Sequence, residues 1–233
     1  LLGWEAEEGN PDFGGYFNFR SRGARVAGCM TAQPGMPADF WSVYLQTDDA
    51  QKTTEAAKSN GGQAYVDPMP VGDLGSMGYL ADSSGAAVGI WQPGAHRGFG
   101  RVAEPGAPSW FELHTRDYDK ALTFYRAVFG WETQPMSDTP EFRYSVMKHG
   151  DDELAGVFDA TNDLAEGESS RWVVYFGVED TDAAVAKAVE LGGSVIQPAE
   201  DTPYGRLAEI TDCNGARLKL VAANEAMPAK PED

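Results

Sequence analysis

The chain repeats itself, and the repeat decides what it can fold into. Leu1-Leu-Gly-Trp-Glu5 returns as Val128-Phe-Gly-Trp-Glu132, so Gly3 and Gly130 lie 127 residues apart. Ala27-Gly28 returns as Ala155-Gly156 at an offset of 128. Trp41 and Tyr44 match Trp172 and Tyr175, and Gly61-Gly62 matches Gly192-Gly193, at 131. Gly75 matches Gly205, and Asp82-x-x-Gly85 matches Asp212-x-x-Gly215, at 130. Offsets this steady across most of the chain mark a duplicated domain rather than chance similarity.

Each half divides again. Ser109 to Thr115 alternates Trp110, Glu112 and His114 with Phe111, Leu113 and Thr115, the period of a strand with one apolar face. Asp117 stands at a helix N-cap position. Ala121, Leu122, Phe124, Tyr125 and Val128 then recur at helical spacing until Gly130, a residue that tolerates positive φ, ends the run. The same order returns at Trp172 to Val178, Asp180, Ala183 to Leu191 and Gly192-Gly193, and at Phe40 to Val66. The stretches Gly14 to Phe19 and Phe142 to Met147 read as central strands. Four units of strand, helix and three strands follow, in a first domain over 1–92, a linker over 93–108, a second domain over 109–222 and a tail over 223–233. The Gly/Pro-rich spans 33–38 and 162–169 join the units within each half. Nothing before Leu1 matches Ser109 to Ala127, so the opening strand and most of the opening helix, about twenty residues on the repeat's own register, are expected to be missing from the first half.

Composition narrows the function. The 36 acidic against 18 basic residues give a net charge of −18, a field that disfavours nucleic acid and anionic membranes and favours solubility or a cationic ligand. No run of about 18 apolar residues predicts a membrane span, and no secretory leader is recognisable. Two cysteines, Cys29 and Cys213, form no disulfide framework, which suits a reducing, cytoplasmic home. His96-Arg97-Gly98-Phe99-Gly100 lacks the Lys-Ser/Thr ending of a phosphate loop.

Two motifs carry a resemblance: the strand-Asp-x-x-x-Ala-x-x-Phe-Tyr-x-x-x-Phe-Gly-Trp opening at Trp110 to Trp131, and the Asp-x-x-Gly-x-x-x-x-Leu closing hairpin at Asp212 to Leu220. Together they resemble the vicinal oxygen chelate superfamily, which includes glyoxalase I, bleomycin-resistance proteins and extradiol dioxygenases. More narrowly the chain is similar to two-domain glyoxalase-like proteins labelled hydroxylases. The resemblance implies an α+β fold of tandem paired βαβββ units, two glyoxalase-like domains whose curled mixed sheets each enclose a cleft, a small-molecule ligand and possible homodimers. It also implies a divalent metal held by His, Glu or Gln on the first and last strands of paired units. Carried onto this sequence, those positions are Trp110, Gly156, Val173 and Lys219 in the second half and Gly28, Ser42 and Gly89 in the first. None offers an imidazole or carboxylate, and an ammonium at Lys219 would repel a cation. The chain's three histidines, His96, His114 and His149, show no ligand spacing. The expectation is therefore no metal and no cofactor.

What remains is a set of candidate residues. Glu112 and His114 share a strand face and are candidates for acid/base catalysis. Trp110, Trp172, Tyr204, Arg217 and Lys219 are candidates for ligand binding, with Tyr204 in a hairpin loop. A pairing of Glu112 with Lys219, and a structural His114, are equally consistent with the pattern. Three readings stay open: a metal-free protein binding a small organic molecule; an enzyme of lyase or hydroxylase type using Glu112 and His114 or an added cofactor; and a non-catalytic interaction protein.

Overall fold

A computed structural model of the chain describes residues 1–32 and 38–225. Most of the inter-unit span 33–38 and residues 226–233 of the tail 223–233 therefore lie outside the described residues. The first module holds β1 (Glu5–Ala6), a 3-10 turn at Pro11–Phe13, β2 (Phe17–Ser21) and β3 (Ala24–Cys29). The second holds β4 (Tyr44–Gln46), α1 (Ala50–Ser59), β5 (Gln63–Val71), β6 (Gly75–Ala81) and β7 (Ala87–Pro93). The third holds β8 (Pro108–Thr115), α2 (Tyr118–Phe129), β9 (Glu132–Asp138), β10 (Arg143–His149) and β11 (Asp152–Asp159). The fourth holds β12 (Arg171–Gly177), α3 (Thr181–Glu190), β13 (Ser194–Thr202), β14 (Gly205–Thr211) and β15 (Arg217–Ala222). This is the α+β, glyoxalase-like arrangement that the resemblance implies, with mixed sheets and few helices.

In the second, third and fourth modules the last strand returns beside the first in parallel. Tyr44 faces Gly89, Glu112 faces Gly156 and Tyr175 faces Lys219 across these pairs. The other pairings are antiparallel, with β6 central between β5 and β7, β10 between β9 and β11, and β14 between β13 and β15. The helix makes the parallel return possible, because only a crossover can bring a strand back in the same direction.

The helix ends follow local chemistry. The Asp49 carboxylate accepts from the Lys52 amide at 3.0 Å, and the Asp180 carboxylate accepts from the Ala183 amide at 2.9 Å. Asp117 occupies the cap position of α2, but its carboxylate makes no capping bond; instead its amide donates to the Thr115 hydroxyl at 3.0 Å. Gly130 takes φ 68° and returns its amide to the Arg126 carbonyl. One strand expectation is corrected: Gly14 and Gly15 both have positive φ and form a turn, so β2 starts at Phe17.

By compactness the modules group across the two halves. One unit comprises Ser42–Arg97 and Trp110–Val173, the second and third modules. The other comprises Leu1–Trp41, Gly98–Ser109 and Val174–Asp233, the first and fourth. The sequence repeat instead pairs first with third and second with fourth.

The unit of the second and third modules has one continuous core. Val43, Leu45, Leu80, Val88 and Ile90 pack in the same cluster as Leu113, Met147, Ala155 and Val157, with Ala57 of α1 and Ala121, Phe124 and Tyr125 of α2 among them. A buried chain of hydrogen bonds runs through it. Trp172 Nε1 donates to Tyr125 Oη at 3.0 Å, and Tyr125 Oη donates to Asp82 Oδ2 at 2.9 Å. Asp82 Oδ1 meanwhile accepts from the Ser84 and Ala86 amides and the Ser84 hydroxyl, closing the hairpin of the second module. Burial pushes both the Asp82 carboxyl and the Tyr125 phenol up from their ordinary ranges. Asp212 closes the hairpin of the fourth module with the equivalent bonds from the Asn214 and Ala216 amides.

The other unit is built around aromatic rings and one carboxylate. Trp4 lies 5.2 Å from Phe19 and 5.2 Å from Phe176, ring to ring, and donates to the Gly106 carbonyl at 2.8 Å. Glu7 accepts from Asn18 at 2.9 Å, Arg20 at 2.5 Å and Arg25 at 3.3 Å. The Asn18 amide first, then Arg25 and Arg20, hold the Glu7 carboxyl below the ordinary carboxylate range against the opposing effect of burial.

Two outcomes follow. Tyr125→Phe strips the donor from buried Asp82 and the acceptor from Trp172, and is expected to cost about 2–4 kcal/mol in urea unfolding at constant m-value. A carboxyl with a depressed native pKa stabilises above its unfolded pKa and loses that contribution as pH falls through the native value. The Tm of Glu7→Gln should accordingly lie below that of the parent at pH 7, with the gap closing on acidification.

Candidate functional site

The alternation of β8 sends its residues to opposite faces. Leu113 enters the core together with Ala155 and Val157 of the neighbouring β11. Trp110, Glu112 and His114 take the other face, where they meet residues of β10 and β11. Trp110 Nε1 donates to Tyr144 Oη at 2.9 Å. His114 Nε2 and Glu112 Oε1 are 2.6 Å apart, and both side chains are buried, at 5% and 7% exposure. The His114 ring meets Phe158 edge-on at 5.3 Å, and Phe142 stacks on Tyr144 at 5.7 Å. This face of the third module thus carries five rings, one buried carboxylate and, at its centre, a glycine.

That glycine is Gly156, directly opposite Glu112. The Tyr144 hydroxyl stands in the space that a Cβ on Gly156 would need. The same construction recurs in the first module, where the Tyr16 hydroxyl stands over Gly28, and in the second, where the Tyr44 ring stands over Gly89. In the fourth module Tyr175 faces Lys219 in register, and Lys219 Nζ donates to Tyr175 Oη at 2.9 Å while lying 5.0 Å from the ring centre. Four modules therefore place a tyrosine beside Gly28, Gly89, Gly156 and Lys219, the last-strand positions that the resemblance assigns to metal donors.

Of the ligand-binding candidates, Trp110 belongs to this face. Arg217 and Lys219 lie two residues apart on β15; Arg217 pairs with Glu209 at 2.8 Å, and Glu209 faces Lys219 across the strand pair. Tyr204 is an exposed residue of the β13–β14 turn, its amide donating to the Thr202 hydroxyl. Trp172 is turned into the core, where its indole is committed to Tyr125. Sequence reasoning missed the four tyrosines. A signal was there: Tyr16 and Tyr144 stand at the same 128-residue offset as Gly28 and Gly156.

The residues present do not fit the divalent metal that the resemblance implies. Indole, isopropyl, hydrogen and ammonium are not donors to such a cation. Among the described residues no three His, Cys, Asp or Glu side chains gather at one place. Cys29 and Cys213 are free thiols. Among the described residues no helix is long and apolar enough to cross a membrane.

Fold and face together define the class. The chain belongs to the glyoxalase/bleomycin resistance protein/dioxygenase superfamily, whose family model matches residues 107–220. It is 36% identical over 227 residues to the Mycobacterium tuberculosis protein named "Putative glyoxylase CFP32", covering 95% of this chain and 86% of that one. It is 38% identical over 249 residues to anthracycline biosynthesis protein DauV of Streptomyces sp. (strain C5), covering 98% of this chain and 88% of that one. Two solved structures share the fold. A 4-hydroxymandelate synthase mutant from Streptomyces coelicolor superposes with TM-score 0.53 at 13% identity, covering 98% of this chain and 88% of its own. The catechol dioxygenase BphC does so with TM-score 0.50 at 12% identity, covering 99% and 83%.

The overlap at Gly156 gives a direct check. In Gly156→Ala the new methyl must displace Tyr144 and break its bond to Trp110. An overpacking cost of about 1–3 kcal/mol and a changed tryptophan emission spectrum are the expected outcome.

Proposed function

We propose that the chain binds a small organic molecule against the ring-lined sheet faces, without a metal held by its side chains. One observation carries this reading: a tyrosine stands beside Gly28, Gly89, Gly156 and Lys219, so the last-strand positions bear phenols in place of cation donors. Such faces suit a flat, largely apolar ligand, because aromatic rings offer large contact area with specific geometry. The net charge of −18 favours a neutral or cationic one. The relatives named for glyoxylase and for anthracycline biosynthesis support a small-molecule role in the same family.

Proflavine, a planar aromatic cation, tests the reading. It is expected to quench tryptophan emission and raise Tm, with both effects weakened by about tenfold or more in affinity by Trp110→Ala, as loss of a buried aromatic contact implies. Adding EDTA, or Zn²⁺, Ni²⁺ or Mn²⁺ at one equivalent, should leave Tm unchanged. Stoichiometric, chelator-sensitive metal would overturn the metal-free part.

A second reading rests on the buried Glu112–His114 pair. A carboxylate that orients an imidazole is the arrangement by which a side chain takes or returns a proton. Turnover of a bound compound that is lost in His114→Gln, with Tm and probe affinity unchanged, would establish catalysis by that pair.

A further inference from the structure

We infer that the unit of the first and fourth modules is the seat of a helix of the α2 kind, whose tyrosine hydroxyl accepts from Trp41 Nε1 and donates to Asp212. The helix belongs to the segment of this chain that the repeat's register sets ahead of Leu1. The seat is built from side chains that the binding reading above does not use.

Trp41 carries the first indication. Its Nε1 is buried and, among the described residues, has no hydrogen-bond partner. A buried donor left unsatisfied costs about 1–3 kcal/mol, so an acceptor belongs beside it. The other unit shows which acceptor. Trp172, equivalent to Trp41 at the offset of 131, donates to Tyr125 of α2, and Tyr125 donates in turn to Asp82 Oδ2. Asp212 is the counterpart of Asp82. It takes the equivalent hairpin amides through Oδ1, and among the described residues Oδ2 has no donor. Trp41 and Asp212 thus hold the two ends of a bridge that a phenol completes in the second and third modules.

The rings repeat the comparison. In the second and third modules the Tyr125 ring lies between two indoles, stacked on Trp131 at 5.9 Å and edge-on to Trp172 at 5.7 Å. The counterparts of those indoles, Trp4 and Trp41, meet each other directly, edge-on at 6.1 Å. A glycine beside the helix tells the same story. A Cβ on Gly62 would meet the Ala81 and Ala57 carbonyl oxygens and, at 2.9 Å, the ring of Phe124 from α2. At Gly193 the Thr211 and Ala188 carbonyls take the first two places, and the three nearest atoms are all backbone.

Surfaces that α2 covers in one unit are open in the other. Ser83 is 6% exposed and donates to the Lys120 carbonyl of α2 at 3.3 Å, whereas its counterpart Cys213 is an exposed free thiol. Their equivalence is structural as well as by offset: a Cβ on Gly61 would lie 3.7 Å from Ser83 Cβ, and one on Gly192 would lie 3.5 Å from Cys213 Cβ. Thr54 of α1, which packs against α2, is fully buried, while its counterpart Val185 of α3 is half-buried. One amphipathic helix meets every one of these conditions. It covers Cys213 and Val185, lays a ring over Gly193 and sets a tyrosine between Trp41 and Asp212.

The register fixes the test. Val128 corresponds to Leu1, so the sequence of residues 109–127 is fused directly ahead of Leu1 in the full chain, with Cys29→Ser leaving Cys213 as the one thiol. Relative to the same chain without the extension, Tm is expected to rise by roughly 5 °C or more, and the reaction of Cys213 with Ellman's reagent to slow by about tenfold or more. Phenylalanine in place of the tyrosine copied from Tyr125 should remove about half of the Tm gain. Trp41→Phe should lower the Tm of the extended chain and leave that of the unextended chain unchanged or higher, because only the extended chain has that bond to lose. A synthetic peptide of residues 109–127, added to the unextended chain, should protect Cys213 in the same way, so the test does not depend on the fusion folding. Unchanged Cys213 reactivity with both extension and peptide, or an equal effect of Trp41→Phe in the two chains, overturns the inference. An unextended chain that sediments as a dimer with Cys213 already protected gives the seat to a second copy and overturns it too.

Discussion

Parallel pairing of a first strand with a last strand is the constraint on which the site depends. It is what sets Glu112 beside Gly156, Tyr44 beside Gly89 and Tyr175 beside Lys219. The helix between those strands supplies the crossover, and its buried face supplies the core against which the sheet's other face must lie. The alternation of a strand then does the sorting. Leu113, Ala155 and Val157 are apolar and enter the core; Trp110, Glu112 and His114 are turned to the opposite face with Tyr144 and Phe158.

The duplication was legible because glycines and hairpin aspartates are fixed by backbone geometry rather than by packing. Gly3 and Gly130 take φ 67° and 68°, and Gly61 and Gly192 take 87° and 92°. Asp82 and Asp212 accept equivalent amide bonds in their hairpins. Side chains facing the interior were free to diverge, and there the repeat misleads. Trp41 and Trp172 are equivalent by offset, yet Trp172 donates to Tyr125 within the second- and third-module core, while Trp41 packs on Phe176 in the other unit. No periodicity distinguishes those fates, because each depends on partners far away in sequence.

The catalytic and binding candidates divide along the same line. Strand alternation was enough to put Trp110, Glu112 and His114 on one face, and it correctly set them apart from Phe111, Leu113 and Thr115. It could not find Tyr144, whose hydroxyl takes the space of a side chain that Gly156 lacks. A glycine at a position that the family resemblance assigns to a donor reads in sequence as an empty place. Only the cross-strand neighbour shows that the space is filled by a phenol that is itself held by an indole.

The interleaving of the modules bears on how the chain comes to be folded at all. Val43, Leu80, Val88 and Ile90 leave the ribosome well before Leu113, Phe124, Met147 and Val157, with which they share one apolar cluster. Synthesis proceeds from the N-terminus, so the nascent first half carries an uncovered oily surface until much of the third module has emerged. Trp4 likewise waits for Phe176, its partner 172 residues downstream by number. A boundary drawn where the gene duplicated would cut through both cores. The halves that are separate in ancestry have become inseparable as folding units.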